Sequence, residues 1–159
     1  MPTIKIRPAT IDDSALILYF ITELAIYEKA EHEVVANESH IRKTLFADGA
    51  KALGFICEID GQAVGYAIYF FNYSTWLGKY GIFLEDLYVS PEHRGSGAGK
   101  AMLKKLAQIA INKDCGRVEW SVLDWNQPAI DFYLSLGAKP QDEWTVYRLT
   151  GQALQDFAK

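Results

Sequence analysis

The segment Tyr88-Val89-Ser90-Pro91-Glu92-His93-Arg94-Gly95-Ser96-Gly97-Ala98-Gly99-Lys100 reads as a strand running through a glycine-rich loop straight into a helix. Glycines let a backbone come close to a ligand, and the first-turn N–H groups and dipole of a helix favour an anion. Phosphate or pyrophosphate is the natural occupant. An ordinary strand-to-helix turn explains one glycine, but not three at alternate positions beside an arginine. Two familiar phosphate motifs fail here. A P-loop would need Gly at position 94 and Ser or Thr at 101, where Arg94 and Ala101 stand. A dinucleotide fingerprint would need Gly or Ala at 100 or 102, where Lys100 and Met102 stand.

Acid–base chemistry has candidates nearby. Strict alternation along a strand puts Glu85 on one face with Phe83, Leu87 and Val89, and Asp86 on the other, a parity that a β-bulge in this strand would change. A carboxylate among apolar neighbours resists ionisation and becomes a candidate base. The competing reading is a pair of surface acids on an edge strand. Tyr133, in a helical segment, is either a core aromatic or a proton donor. Glu28, Glu31 and Glu33 follow the first long helical pattern, and Glu119 and Asp124 lie further along. Nine aromatic residues crowd between Tyr66 and Tyr88, Trp76 among them. Carboxylates and aromatic faces together attract alkylammonium groups, although an acidic helix end and a hydrophobic strand core or dimer surface account for each cluster alone. His32, His40 and His93 are dispersed, which predicts no metal site. Cys57 and Cys115 read as buried hydrophobes. Ser96 lacks the leading glycine of a nucleophile elbow.

Arg94-x-x-Gly97-x-Gly99 matches the Arg/Gln-x-x-Gly-x-Gly/Ala signature of the GNAT superfamily of acetyl-CoA-dependent N-acetyltransferases, which this chain resembles. Asp124-Trp125-Asn126-Gln127-Pro128-Ala129-Ile130-Asp131-Phe132-Tyr133, with Leu136-Gly137-Ala138, is similar to the superfamily's C-terminal CoA-contacting segment. Ile6-Arg7-Pro8-Ala9-Thr10, Glu23-Leu24-Ala25, Tyr27-Glu28, Trp76-Leu77-Gly78-Lys79 and Leu84-Glu85-Asp86-Leu87-Tyr88-Val89 resemble the spermidine/spermine (diamine) and thialysine acetyltransferase branch.

The resemblance implies acetyl-CoA as co-substrate, held by Leu87, Tyr88 and Val89, by Arg94, Gly95, Ser96, Gly97, Ala98, Gly99 and Lys100, and by Asn126, Pro128, Ala129 and Tyr133. It implies Glu85 as a water-mediated general base and Tyr133 as the acid that protonates the leaving thiolate. Tyr27, Glu28, Trp76, Glu85 and Asp86 are the acceptor contacts it suggests, with a homodimer as the assembly. Glu119 stands where the branch's polyamine-specific members carry a histidine, and is expected near the acceptor. The expected reaction is direct acetyl transfer to a primary amine of a small cationic, polyamine- or diamine-like acceptor. Thialysine, another amino acid or a peptide N-terminus are alternatives, and a non-catalytic CoA-binding sensor is the rival of another class.

Placing these groups requires a layered α/β domain. The element order reads β-α-α-β-β-β-α-β-α-β. Its strands cover residues 3–7, 53–59, 63–71, 80–89, 116–123 and 145–149; its helices begin near Asp12 and Gly99, and two more run over 37–46 and 126–136 with Asn37 and Asn126 as their caps. Asp60-Gly61 marks a hairpin. This order predicts a central mixed, twisted sheet with helices on both faces, the GNAT fold of the resemblance, as one domain over residues 1–159. The length of 159 residues suits one such core. Sixteen Lys plus Arg against 20 Asp plus Glu give a net charge of −4, which argues against a nucleic-acid backbone reader. Half the residues are hydrophobic, which excludes a disordered chain. Neither a leader peptide nor a membrane span is expected, and two cysteines fit a reducing, cytoplasmic setting.

Overall fold

Asp60 and Gly61 both take left-handed backbone conformations, φ 50° and 83°. That is the geometry a two-residue hairpin needs to match the twist of its strands. In the computed structural model, which describes residues 2–159, they join β2 (Ala52–Ile59) to β3 (Gln62–Ser74) as the sequence predicts. β1 (Ile4–Pro8), β2, β3 and β4 (Lys79–Val89) pair antiparallel in that order, and β5 (Val118–Trp120) adds to β4 in parallel. The expected mixed sheet is therefore present.

The chain divides into two compact units, one ending at Ser121 and the other spanning Val122–Lys159. In the first, α1 (Ser14–Tyr27) follows a short 3₁₀ turn. The Asp13 carboxylate anchors that turn, accepting from the Thr10 N–H at 2.7 Å and pairing with Arg7 at 2.8 Å. α2 (Glu38–Ile41) is capped by Asn37, whose side chain accepts from the His40 N–H at 2.8 Å. The helix predicted over residues 37–46 is shorter than expected, because Arg42–Phe46 widens into a π turn. α3 (Ala98–Asn112) follows the glycine loop.

The helices lie on both faces of the sheet. Ile17 and Phe20 of α1 join Ile41, Ile56, Tyr66, Ile68 and Tyr88 in one buried cluster. Each such aliphatic or aromatic side chain contributes about 1.5–3 kcal/mol on burial. Met102 of α3 packs against the other face at Gly65. A Cβ there would sit 2.3 Å from the Tyr88 carbonyl oxygen and 3.3 Å from Met102 Cε, so only glycine fits. Cys57 is fully buried on β2, and burial pushes its thiol up to about 11. Cys115 is half-buried rather than buried, a departure from the sequence expectation.

The second unit contains α4 (Gln127–Ser135) and α5 (Gly151–Phe157). The strand predicted over 145–149 is absent, and the β5 region narrows to three residues. Period-2 alternation describes a potential strand, but a strand forms only when its backbone groups find a ladder. Among the described residues, no strand pairs with 145–149. α5 went unpredicted because it is only seven residues long and no side-chain hydrogen bond caps it. No described helix is long and apolar enough to cross a membrane.

Candidate active site

The site begins where β4 changes register. Opposite β3, Ile68 pairs with Asp86 and Tyr69 pairs with Leu84, so Glu85 is an extra residue, a β-bulge. Directly paired residues share a face. Asp86 and Tyr88, paired with Ile68 and Tyr66, therefore face α1, while Leu87 and Val89 face α3. Phe83, paired with Phe70, is also on the α1 face. This corrects the strict alternation that placed Phe83 with Leu87 and Val89. Glu85 sits exposed at the break rather than among apolar neighbours.

A second consequence follows from β5. Its pairing with β4 runs from Ile82 to Leu84 and stops, while β4 continues to Val89. Alternate backbone N–H groups of residues 86–89 thus face a side from which the neighbouring strand has departed. Such an edge is a template for a bound polar chain.

β4 then leads through a 3₁₀ turn (Pro91–His93) to the glycine loop. Gly95 and Gly97 have φ of 82° and 92°, the left-handed region that disfavours other residues. Gly99 lies in the first turn of α3 with an ordinary φ. A Cβ there would meet Val89 Cγ2 at 3.9 Å, an ordinary contact. Packing therefore does not demand this glycine, although it costs the helix about 1 kcal/mol relative to alanine. A helix start kept free of bulk explains it better, since Gly97 offers no side chain to cap it. Ser96 Oγ accepts from the Ala98 N–H at 3.3 Å, and Lys100 is exposed on the first turn.

Arg94 does not point freely into solvent. Its Nε donates to the Val89 carbonyl at 3.1 Å, and its guanidinium carbon lies 4.8 Å from the Tyr27 ring centroid and 5.6 Å from that of Tyr88. The loop arginine is therefore sandwiched between the end of α1 and β4. This joins a residue expected on the cofactor side, Arg94, to one expected on the acceptor side, Tyr27.

Beside that cage lies an acid cluster. Tyr66 is fully buried, and its hydroxyl donates to Asp86 Oδ2 at 2.5 Å. Burial raises the Asp86 carboxyl above its ordinary range, and the Tyr66 hydrogen bond partly opposes the rise. Glu28, at the C-terminal cap of α1, is also raised, first by burial and then by the Asp86 charge. The Tyr66 phenol is pushed up by burial and by Asp86, so it stays a donor at every working pH. Tyr66 is the site residue that sequence reasoning missed. It was legible only as one of many aromatics, because nothing in a twenty-residue separation announces a partner.

Two other expected residues have different settings. Glu119 pairs with Phe83 across the parallel ladder and shares its face. Its Oε1 accepts from Asn72 Nδ2 at 3.4 Å and lies 3.3 Å from Arg117 Nε, so its charge has a counter-ion. Trp76 is exposed in the turn between β3 and β4.

In the second unit, Asn126 caps α4. Its Oδ1 accepts from the Ala129 N–H at 3.4 Å, with Pro128 in the first turn, where its missing N–H costs nothing. Tyr133 sits seven residues beyond the cap. After it, Gly137 takes φ 90° and the Ala138 N–H donates to the Tyr133 carbonyl at 3.2 Å, closing the helix. The capping role read from the sequence for Asn126 is present. Among the described residues, no three His, Cys, Asp or Glu side chains converge as a metal-holding group.

A strand that loses its neighbour, a bulged carboxylate and a glycine loop opening a helix suit a cofactor that has both a peptide-like arm and a pyrophosphate. Comparison with known proteins agrees, and this chain belongs to the acetyltransferase (GNAT) family, whose profile matches residues 21–138. It is an N-acetyltransferase, and the family's co-substrate is acetyl-CoA. More particularly, it is similar to thialysine N-epsilon-acetyltransferase of Sus scrofa, 39% identical over 169 residues and spanning 99% of both chains. It also resembles spermidine/spermine N(1)-acetyltransferase-like protein 1 of Homo sapiens, 34% identical over 168 residues, which cover 99% of this chain and 24% of that protein. Among solved structures, an integron cassette protein from the mobile metagenome of V. cholerae superposes with a TM-score of 0.82, at 27% identity and 98% coverage of each chain.

Proposed function

We propose that this acetyltransferase, working as one domain and as a cytoplasmic homodimer, acetylates the primary amine of a small cationic acceptor of the diamine or polyamine kind. The observation that supports the reading is the acid cluster: Asp86, held by the Tyr66 hydroxyl at 2.5 Å, with Glu28 near enough for their charges to oppose each other. Two carboxylates drawn out of water beside each other are costly, and a bound alkylammonium relieves both at once. Tyr27, Trp76 and Glu85 complete the acceptor contacts, with Glu119 at the margin. A second reading, the side-chain amine of thialysine or a similar amino acid, is favoured by the full-length likeness to the Sus scrofa enzyme. Arg117, beside Glu119, supplies the cation that an amino acid's carboxylate would need.

An alkylammonium with a pKa of about 10.4 is almost wholly protonated at pH 7, and only the neutral amine attacks a thioester. Glu85 takes that proton through a water. The amine then adds to the thioester carbonyl, and backbone N–H groups of Leu87–Val89 hold the oxyanion. Acetyl-CoA lies along Leu87–Val89, with its pyrophosphate at Arg94–Lys100 and further contacts from Asn126, Pro128 and Ala129. Tyr133 protonates the departing thiolate.

The test is CoA release from acetyl-CoA with polyamines, diamines, thialysine, ornithine and peptides as acceptors. Turnover with cationic small amines and a large loss in Tyr133→Phe are expected. Acetyl-CoA binding with no acceptor turnover would instead favour a sensor, and unchanged turnover in Tyr133→Phe would remove it as the acid.

A further inference from the structure

We propose that Tyr66 is a positioning residue for acceptor recognition: its buried hydroxyl fixes the Asp86 carboxylate through Oδ2, leaving Oδ1 to receive the acceptor's ammonium. The inference rests on Asp86 being an acceptor contact, the reading given above.

The geometry leaves Tyr66 little freedom. Its ring is fully buried, stacked on Phe20 at a centroid separation of 5.5 Å and 16° from coplanar. It faces Tyr88 across the β3–β4 ladder. A ring held on that many sides points its hydroxyl in one direction, and Asp86 lies there at 2.5 Å. Asp86 shares this face because β4 stays in unbroken register with β3 from Val89 to Asp86, which sets Asp86 opposite Ile68, two residues from Tyr66; the bulge at Glu85 begins just beyond it.

The groups around Asp86 make this bond consequential. Glu28 approaches from the end of α1 and Glu85 is the neighbouring bulge residue, so two further carboxylates lie near it. Arg94 is held by Tyr27, Tyr88 and the Val89 carbonyl, while Glu23 and Glu92 act on Tyr88 rather than on Asp86. Within this crowd the Tyr66 hydroxyl donates to the charged form of Asp86 and opposes its protonation. It thereby selects which of the paired acids carries the negative charge, and where. A hydrogen bond to a charged group changes proton affinity about tenfold or more. Removing it lets Asp86 take up a proton at higher pH and turn away from the acceptor.

Tyr66→Phe deletes one oxygen and keeps the ring. The expected result is an acceptor KM raised about tenfold at neutral pH with acetyl-CoA KM unchanged. The pH below which acceptor KM climbs should shift upward by about one unit. In an Asp86→Asn background the same substitution should add little, because the charge it positions is already gone. An equal penalty in both backgrounds would make Tyr66 a packing residue and overturn the proposal. If Asp86→Asn leaves acceptor KM unaltered, the acceptor reading fails and the proposal with it.

A measurement independent of turnover separates the two failures. Carbon-13 carboxyl titration of the full chain should place the Asp86 midpoint higher in Tyr66→Phe than in the unsubstituted protein, and equal midpoints would refute the bond's role. Should Tyr66→Phe not fold, the Tyr66 hydroxyl proton in the unsubstituted protein must still shift as Asp86 titrates. A signal that ignores that titration overturns the proposal.

Discussion

Replacing Arg94 with lysine keeps the charge of the glycine loop and removes its geometry. The arginine Nε bond to the Val89 carbonyl, at 3.1 Å, has no counterpart in lysine. A hydrogen bond from a charged donor contributes about 1.5–3 kcal/mol. The guanidinium also lies 4.8 and 5.6 Å from the Tyr27 and Tyr88 ring centroids, and an exposed cation–π contact adds about 0.5–1 kcal/mol, part of which an ammonium retains. Because Arg94 is exposed, the lower ends of these ranges apply, and the contacts are not independent. A net loss of about 1.5–2 kcal/mol is expected, roughly 10- to 30-fold in acetyl-CoA affinity. Arg94 organises the loop rather than the reacting atoms, so the loss should fall on acetyl-CoA KM with kcat at saturation nearly kept. Initial rates at varied acetyl-CoA and saturating acceptor measure both. Tyr27→Phe should retain most of the affinity, since a phenyl face still receives the cation. A KM for acetyl-CoA in Arg94→Lys within about twofold of the parent would refute the clamp. So would a fall confined to kcat.

Glu85→Gln should lower turnover by about 10²–10⁴-fold near pH 7. The deficit should shrink as pH rises, because free amine increases about tenfold per unit until the amine pKa is reached. A pH-independent ratio between the two enzymes would show that Glu85 does not act as the base. Arg7→Met removes the partner of Asp13 at 2.8 Å and of Glu58 at 3.1 Å, both largely buried, and should cost about 2–3 kcal/mol of stability at neutral pH by denaturant unfolding. Arg7 holds the Asp13 carboxyl below its ordinary range, so the contribution is complete above the unfolded-state carboxyl pKa of about 3.9 and fades as pH falls through the lower folded value. The gap between Arg7→Met and parent should therefore narrow in acid, and a constant gap would assign the loss to packing instead.

The elements that position the site were largely legible because each carried its own local chemistry. Asp60-Gly61 specified its hairpin, Asn37 and Asn126 their caps, and the glycine-rich loop the start of α3. What stayed hidden depends on partners distant in sequence. The bulge at Glu85 is a property of two strands together, so alternation along β4 alone misplaced Phe83. Glu28 and Asp86 belong to different elements, and the bond from Tyr66 arises only once β3 and β4 are in register. Residues 145–149 show the converse: their alternation is clear, yet a pattern without a ladder is not a strand. The strand–loop–helix geometry at the glycine loop was readable from local sequence because it is set within a few residues. The proposed acceptor contacts are spread over α1, β4, β5 and the β3–β4 turn, and only the family resemblance, not local sequence, named them.

The burial of Cys57 has a practical side. With its thiol raised to about 11 and no exposed surface, it stays protonated and shielded at neutral pH. Thiol-specific reagents, which react with thiolates, pass it by while the chain is folded. Half-buried Cys115 is then the residue such a reagent meets. Counting reactive sulfhydryls against time consequently reports opening of β2: one fast equivalent marks an intact sheet, and a second, slow one marks its exposure.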